Sequence, residues 1–326
     1  MPKKALITGL NGFAGNHLAK VLLEKDYVVV GVDTNIEPGG KLDYNTNENI
    51  KLVKADIRDE HKIEELLVGK DYDEVYHLAA QSSVKLSFEN PVETLSINVN
   101  GTLNILETIS KMEKPPKTLV ISSSEIYGQL KPDQVPVIED SPLMPVNPYA
   151  VSKATVDLMS YQYYKAYNLP IYWARAFSHS GPGQKTVAVL SDWCFQAASI
   201  ELGLRQPEIG VGNMDVTRDY TDVRDVVRAY IAILENGQPG KAYNVCSGKG
   251  YRLDDLLNII VSFSSKKITI MPDPSRLRPV DIPILIGSPK RLMTDTGWKA
   301  ETGIEQTMKD LFDYWIEYLT PQIENG

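Results

Sequence analysis

Through the first 175 residues, short apolar runs alternate with longer stretches in which apolar and polar positions are mixed. Strand-length runs separated by amphipathic, helix-length segments are the pattern of successive βαβ units in a parallel sheet. The expected strands cover residues 5–8, 28–33, 51–55, 75–78, 118–122 and 171–175, and the expected helices 15–25, 62–67, 92–111 and 149–167. After Arg175 the pattern loosens: SHSGPGQ and residues 204–217 are loop-rich, and VRDVVRAYIAILENG then returns to a clear helix. This predicts an α/β chain with a doubly wound parallel sheet and a smaller C-terminal substrate lobe. The larger domain is expected over 1–176 plus a returning segment of about 219–247, and the lobe over 177–218 and about 248–326. Proline-rich segments at 132–148 and 272–283 read as ordered loops, either bordering a site or simply at the surface.

The first strand runs into KALITGLNGFAG, where Gly9, Gly12 and Gly15 give GxxGxxG between strand and helix, with Asn11 and Phe13 in the same turn. Glycines at that junction let backbone approach a pyrophosphate at a helix N-terminus, so a Rossmann-like dinucleotide site is expected here. Asp33 closes the second strand, eighteen positions after Gly15, where an acid can bind the adenosine ribose hydroxyls. Its carboxylate would repel a 2′-phosphate, and Thr34 and Asn35 follow with no arginine. NAD(H) is therefore favoured over NADP(H).

Tyr149 and Lys153 stand four apart in NPYAVSK. A helix brings i and i+4 onto one face, so the ammonium is expected near the phenol, where it can lower a pKa otherwise near 10. Ser122, Ser123 and Ser124 end the apolar run in TLVISSSEIYG, and strand C-termini are where open α/β sheets place ligands.

Glycine loop, serine cluster and Tyr/Lys pair together resemble the extended, nucleotide-sugar-modifying branch of the short-chain dehydrogenase/reductase superfamily. The resemblance implies Ser123, Tyr149 and Lys153 as the catalytic set, with Glu125 in the position from which dehydratases of the branch assist water loss. It implies that Asp56 and Ile57 touch adenine, and that Leu78, Ala79 and Ala80 of HLAAQSS lie beside the nicotinamide ribose, with His77 packed and Asn98 in support. Through RAFSHSGPGQ, VGNMDVTRDYTDVRDVV, YNVCSG and LRPVDIPILIGSPKRLMTDTGWKA it extends end to end, most closely to the GDP-4-keto-6-deoxy-D-mannose reductases that form GDP-D-rhamnose. The GDP-mannose 4,6-dehydratases are close behind, then 4-epimerases. A non-catalytic NAD-binding sensor is the alternative outside enzymes.

On the substrate side the resemblance points to Ser83, Ser124, Ser178, Gln184, Asn213, Arg218 and Arg278. The two arginines suit a diphosphate; surface ion pairs with Asp219 and Asp281 are the plainer alternative. Ser178 replaces the usual Asn of RxFN, which leaves the hexose open. A homodimer through a four-helix interface is also implied, because helices 92–111 and 149–167 carry apolar residues on more than one face.

A net charge of -8 over 326 residues gives no broad basic field for nucleic acid or a membrane surface. Cys194 and Cys246 are isolated, so neither a disulfide framework nor a metal site is expected. The start lacks a long apolar leader and no apolar run approaches about 18 residues. A cytoplasmic location is the expectation.

Overall fold

The computed structural model describes residues 1–36, 47–277 and 280–324. In chain order the first half forms β1 (Lys4–Thr8), α1 (Phe13–Glu24), β2 (Val28–Asp33), β3 (Ile50–Lys54), α2 (Glu60–Leu67) and β4 (Glu74–His77). It continues through α3 (Val84–Glu89), α4 (Pro91–Leu95), α5 (Gly101–Ser110), β5 (Lys117–Ser123), α6 (Pro148–Tyr167) and β6 (Ile171–Ala176). The second half forms β7 (Ser178–Ser180), α7 (Val189–Glu201), β8 (Glu208–Val211), β9 (Thr217–Asp222), α8 (Val223–Asn236) and β10 (Ala242–Val245). It ends with β11 (Gly250–Arg252), α9 (Leu253–Val261), β12 (Thr269–Pro272), β13 (Ile284–Leu285), α10 (Lys290–Thr296) and α11 (Ile304–Glu324).

Among the described residues the main sheet has seven strands in the order β10-β6-β5-β4-β1-β2-β3, with every pairing parallel. The α/β fold expected from the sequence is thus present. The chain starts in the middle, winds to β3 at one edge, and crosses back to add β4 on the other side of β1. That reversal opens a crevice outside the strand C-termini, between β1 and β4. The strands are apolar runs because helices cover both faces; all six residues of β6 are buried. On one face Leu18 and Leu22 of α1 meet Val226, Val227, Tyr230 and Leu234 of α8. On the other, Ile63 and Leu67 of α2 pack with Ile105, Leu106 and Ile109 of α5 and Val156 and Tyr163 of α6. Full burial of each such side chain is worth about 1.5–3 kcal/mol.

The lobe has its own core, in which Leu190, Trp193 and Ala197 of α7, Leu256 and Ile260 of α9, and Met308, Leu311 and Trp315 of α11 meet. Two small sheets flank it, β11-β9-β13 with β7 attached to β9, and β12-β8. The chain enters the lobe at β7 and β8, returns through α8 and β10 to the main sheet, and leaves again at β11. Among the described residues no helix is long and apolar enough to cross a membrane.

One helix departs from expectation. The single helix expected over 92–111 is α4 and α5 joined by a π-helical turn, Ser96–Asn100. Such widened turns gather at functional sites, and this one carries Asn98 inward.

Candidate active site

A cleft of about 2300 Å³ lies between the strand C-termini and the lobe. At its sheet end the backbone is packed too closely for side chains on the turn. Gly9 sits at φ +74, where a Cβ would stand 2.8 Å from the Ala79 nitrogen, and a Cβ on Gly15 would stand 2.2 Å from the Gly9 carbonyl oxygen. Glycine is required at both. With Gly12 N–H closing on Gly9 O at 3.0 Å, the turn delivers α1 with its N-terminus toward the cleft. Asn11, Phe13, Asp33, Asp56, Ile57, Leu78, Ala79 and Ala80 all line this end. These residues fit a dinucleotide: a bare backbone cradle, a helix N-terminus for pyrophosphate, and an acid at the end of β2.

The Asp33 carboxylate is held in place. Oδ2 accepts from Asn11 N–H and Oδ1 from Asn35 N–H, both at 3.1 Å. Asp56 is gripped by Arg58, whose Nη2 lies 2.6 Å from Oδ2 and whose Nη1 reaches Glu93. The Arg58 guanidinium holds the Asp56 carboxyl below the usual range.

The opposite wall is built from the end of β5 and the start of α6. Asn147 caps α6, its Oδ1 accepting from Ala150 N–H at 2.7 Å, and Pro148 follows at the first helical position. The cap's Nδ2 donates to Glu125 Oε2 at 3.0 Å. One amide thus starts the helix that carries Tyr149 and fixes the acid two positions after Ser123. Tyr149 is half-buried, and burial pushes its phenol up to about 12; the Ser123 hydroxyl opposes that shift and the Glu125 charge adds to it.

The expectation that Lys153 draws this phenol down is not met. The Lys153 ammonium is buried and donates to the Ile121 carbonyl at 2.7 Å, and burial lowers it to about 8. The helical spacing puts both side chains on one face, but the charge is turned to the end of β5 rather than to the phenol.

Around this wall runs a frame of buried polar contacts. Asn98 accepts from Gln81 N–H at 2.8 Å and donates to Gln81 O and to Ser152 Oγ, whose own proton goes to Tyr149 O. The loop after β4 and the first turn of α6 are tied through that one side chain. His77 is packed, as expected. Thr102 Oγ1 gives its proton to Asn98 O, so it accepts from His77 Nε2, and His77 Nδ1 accepts from Thr8 at 2.7 Å. Burial, with the Lys153 charge nearby, lowers His77 to about 3.

Beneath the wall, Arg175 makes two 2.8 Å contacts to Asp157 and donates to Tyr127 OH and Glu139 O. Removing one partner of such a buried pair strands the other charge. Sequence reasoning missed this network and Asn147. The signals were present: Asp157 continues the four-residue spacing of Tyr149 and Lys153, Arg175 interrupts a buried strand, and Asn-Pro is a helix-start signal.

Ser83 at the start of α3 and Ser124 after β5, and on the lobe side Ser178, Gln184, Asn213 and Arg218, line the same cleft. Arg278 lies outside the described residues. Arg218 is buried, donates to Thr217 O, and makes no ion pair among the described residues. The plainer alternative of a pair with Asp219 is absent. Asp219 is taken by Ser247 N–H and Oγ and by Gly248 N–H, and burial pushes its carboxyl up to about 6. Asp281 accepts from Asn213 Nδ2 at 2.9 Å. Gln184 accepts from Ser180 Oγ and donates to His179 O, which braces the loop it belongs to. Asp192 and Arg276, which the sequence reading passed over, also line the lobe wall.

Comparison with known proteins decides the family. The profile described as GDP-mannose 4,6 dehydratase matches residues 6–311. The chain belongs to that family. Within it, the chain is 33% identical over 317 residues to the GDP-6-deoxy-D-mannose reductase of Pseudomonas aeruginosa, covering 97% of this chain and 98% of the relative. The solved structure of RMD from Pseudomonas aeruginosa complexed with NADPH superposes with a TM-score of 0.84 at 31% identity, covering 98% and 99% of the two chains. The Thermus thermophilus UDP-glucose 4-epimerase complex with NAD gives 0.85 at 28% identity, covering 96% and 98%. Nicotinamide dinucleotides are therefore the cofactor class of this fold, and the family assignment agrees with the resemblance read from the motifs.

Proposed function

We propose that the protein reduces the 4-keto group of a GDP-linked 4-keto-6-deoxyhexose. The observation that carries this is the convergence of Ser123, Tyr149 and Lys153 on one wall of the cleft, facing a dinucleotide cradle, in a chain similar end to end to a GDP-6-deoxy-D-mannose reductase. A bound dinucleotide supplies hydride to the carbonyl carbon. Tyr149, fully protonated at neutral pH with its phenol near 12, gives its proton to the carbonyl oxygen. Ser123 donates a hydrogen bond to the same oxygen, and Lys153, its ammonium held at the end of β5, orients the ribose hydroxyls. General acid catalysis and a well-aimed donor each contribute factors of about 10² or more. Arg218 holds the diphosphate; its buried guanidinium, in no ion pair among the described residues, suits a phosphate.

A 4,6-dehydratase activity is the second reading, favoured by Glu125 standing close enough to Tyr149 to act on its charge. Anaerobic incubation with GDP-mannose and, separately, with its 4-keto-6-deoxy product, followed by mass spectrometry and dinucleotide absorbance, separates the two. Reduction of the second substrate alone is expected. Conversion of GDP-mannose without net dinucleotide consumption would establish a dehydratase, and no turnover of either would leave a binding protein.

NAD(H) is the proposed cofactor, although the Pseudomonas aeruginosa relative was solved with NADPH. The fixed Asp33 carboxylate would meet a 2′-phosphate with a repulsion of about 1 to 4 kcal/mol at ~4 Å. NADH should give the higher kcat/KM, and Asp33→Ala should narrow the gap. A wild-type preference for NADPH would show that the acid at the end of β2 does not face the ribose.

The proposed assembly is a homodimer. Of the surplus apolar residues on its two helical segments, Ile105, Leu106, Val156 and Tyr163 are consumed by the sheet. Val92, Leu95, Leu103, Val151 and Leu158 remain exposed on the outer side. Pairing that stripe with its copy buries it in a four-helix contact. A monomer in sedimentation at micromolar concentration would contradict the dimer.

A further inference from the structure

Arg218 has little to aim it but its own backbone. Among the described residues its guanidinium makes one hydrogen bond, from Nη1 to the Thr217 carbonyl, and no ion pair. Its direction therefore rests on where β9 lies. That strand runs between two others, with Arg218 opposite Tyr251 of β11 on one side and Leu285 of β13 on the other. The next residue, Asp219, points to the opposite face, as neighbours on a strand do, and is buried there, outside the cleft that Arg218 lines.

The Asp219 carboxylate takes four donors. Oδ1 accepts from Ser247 N–H at 2.9 Å and from its hydroxyl at 2.6 Å, and Oδ2 accepts from Gly248 N–H at 2.9 Å and Gly287 N–H at 3.3 Å. Ser247 and Gly248 belong to the turn between β10 and β11, and Gly287 follows β13, so one side chain ties both neighbours of β9 to it. Close packing brings these donors within reach: Gly248 sits at φ +80, and a Cβ on Gly287 would stand 2.4 Å from the Phe177 ring and 2.8 Å from Cys246 Sγ. Ser247, Gly248 and Gly287 themselves do not line the cleft.

We propose that Asp219 is a positioning residue for Arg218: by clamping β9 between the β10–β11 turn and the segment after β13, it sets where the guanidinium meets the substrate diphosphate. The inference rests on the diphosphate role given to Arg218 above. The clamp needs an acceptor opposite every donor, which an ionised carboxylate supplies; a protonated one turns an O–H against an N–H. Burial pushes this carboxyl up to about 6, so the clamp should slacken as pH falls through that value. The ionisable groups facing it are the Cys246 thiol, just after β10, and the Tyr251 phenol on β11, and burial keeps both protonated there; Glu139 acts on the same thiol. From the segment after β13 the contact is backbone alone.

The test is calorimetric titration of the full chain, without added dinucleotide, with GDP-mannose, whose diphosphate does not change charge between pH 5 and 8. Wild type is expected to lose affinity roughly tenfold to a hundredfold between pH 7.5 and 5, the cost of opposing buried donors. His17 and His179, which line the cleft, would gain positive charge on the same acidification and tighten an anion, the opposite sign. Asp219→Asn, whose amide turns its own N–H toward the clamp's donors, should show the weakened affinity at every pH while dinucleotide affinity stays at the wild-type value. In an Arg218→Ala background the same substitution should add no further loss, because the two side chains act as one unit. A wild-type affinity that stays flat or rises toward pH 5 would overturn the proposal without recourse to any variant. So would an acid loss that Asp219→Asn retains in full, additive losses in the double variant, or a dinucleotide affinity that falls as far as that for GDP-mannose. An Arg218→Ala protein that binds GDP-mannose as tightly as wild type would refute the diphosphate role of Arg218, and the clamp's purpose with it.

Discussion

Tyr149→Phe is expected to lower turnover by about 10²-fold or more while dinucleotide affinity stays near wild type. The ring still fills the half-buried wall between Ser123 and α6, and only the proton donor is lost. Steady-state kcat with a 4-keto substrate, set beside a fluorescence titration of the dinucleotide, measures both quantities. Near-normal turnover would sink the assignment of Tyr149 as the acid. Because burial holds the phenol near 12, its own ionisation should not shape the rate between pH 6 and 9.

Lys153→Met should damage rate and cofactor affinity together, since the proposed role of its ammonium is to hold the cofactor ribose beside the reacting carbonyl. The variant also has a pH signature. Lys153 is lowered to about 8, so it is charged below that value and loses its charge as pH climbs through it. The wild-type reduction rate should therefore fall above about pH 8, and that limb should vanish in Lys153→Met. Stability should move the other way. The native pKa lies below the unfolded value near 10.4, so the fold is most stable where the amine is neutral in both states. That stability is lost as pH falls from the unfolded value to about 8, with no further change below. Removing the buried charge should then raise the melting temperature at pH 7, with a gain on the order of 1 to 3 kcal/mol. A variant with unchanged rate, affinity and pH profile would remove Lys153 from the site.

The strand ends and the helix carrying Tyr149 were legible to within about a residue because strands buried on both faces leave an unmistakable apolar run. The glycine turn was legible because Gly9 and Gly15 answer to backbone contacts that no other residue survives. Direction of a side chain within its site was not. Spacing puts Tyr149 and Lys153 on one face, yet it is the carbonyl of Ile121, thirty-two residues away, that captures the ammonium. The π-helical turn at Ser96–Asn100 was hidden for a similar reason: the apolar pattern across 92–111 carries no mark of a change of phase, whereas Asn98 answers to Gln81 and Ser152 elsewhere in the fold. Asp192 was passed over because a single acid in an amphipathic helix is usually a solvated one, and only Gln196, Arg276 and Asp273 make it part of a built wall.

That widened turn gears two surfaces together. Each residue of an α-helix advances the face by about 100°, so one extra residue between α4 and α5 sets the angular offset between them. Inward, the offset aims Asn98 at the tie between the β4 loop and α6. Outward, it decides whether Val92 and Leu95 fall in line with Leu103 along the exposed stripe. Closing the same five residues to regular α-helical geometry would rotate α4 by about a quarter turn against α5. The polar frame around Asn98 and the exposed apolar stripe would lose alignment in the same step, so the chain cannot tune one of them through this turn while holding the other still.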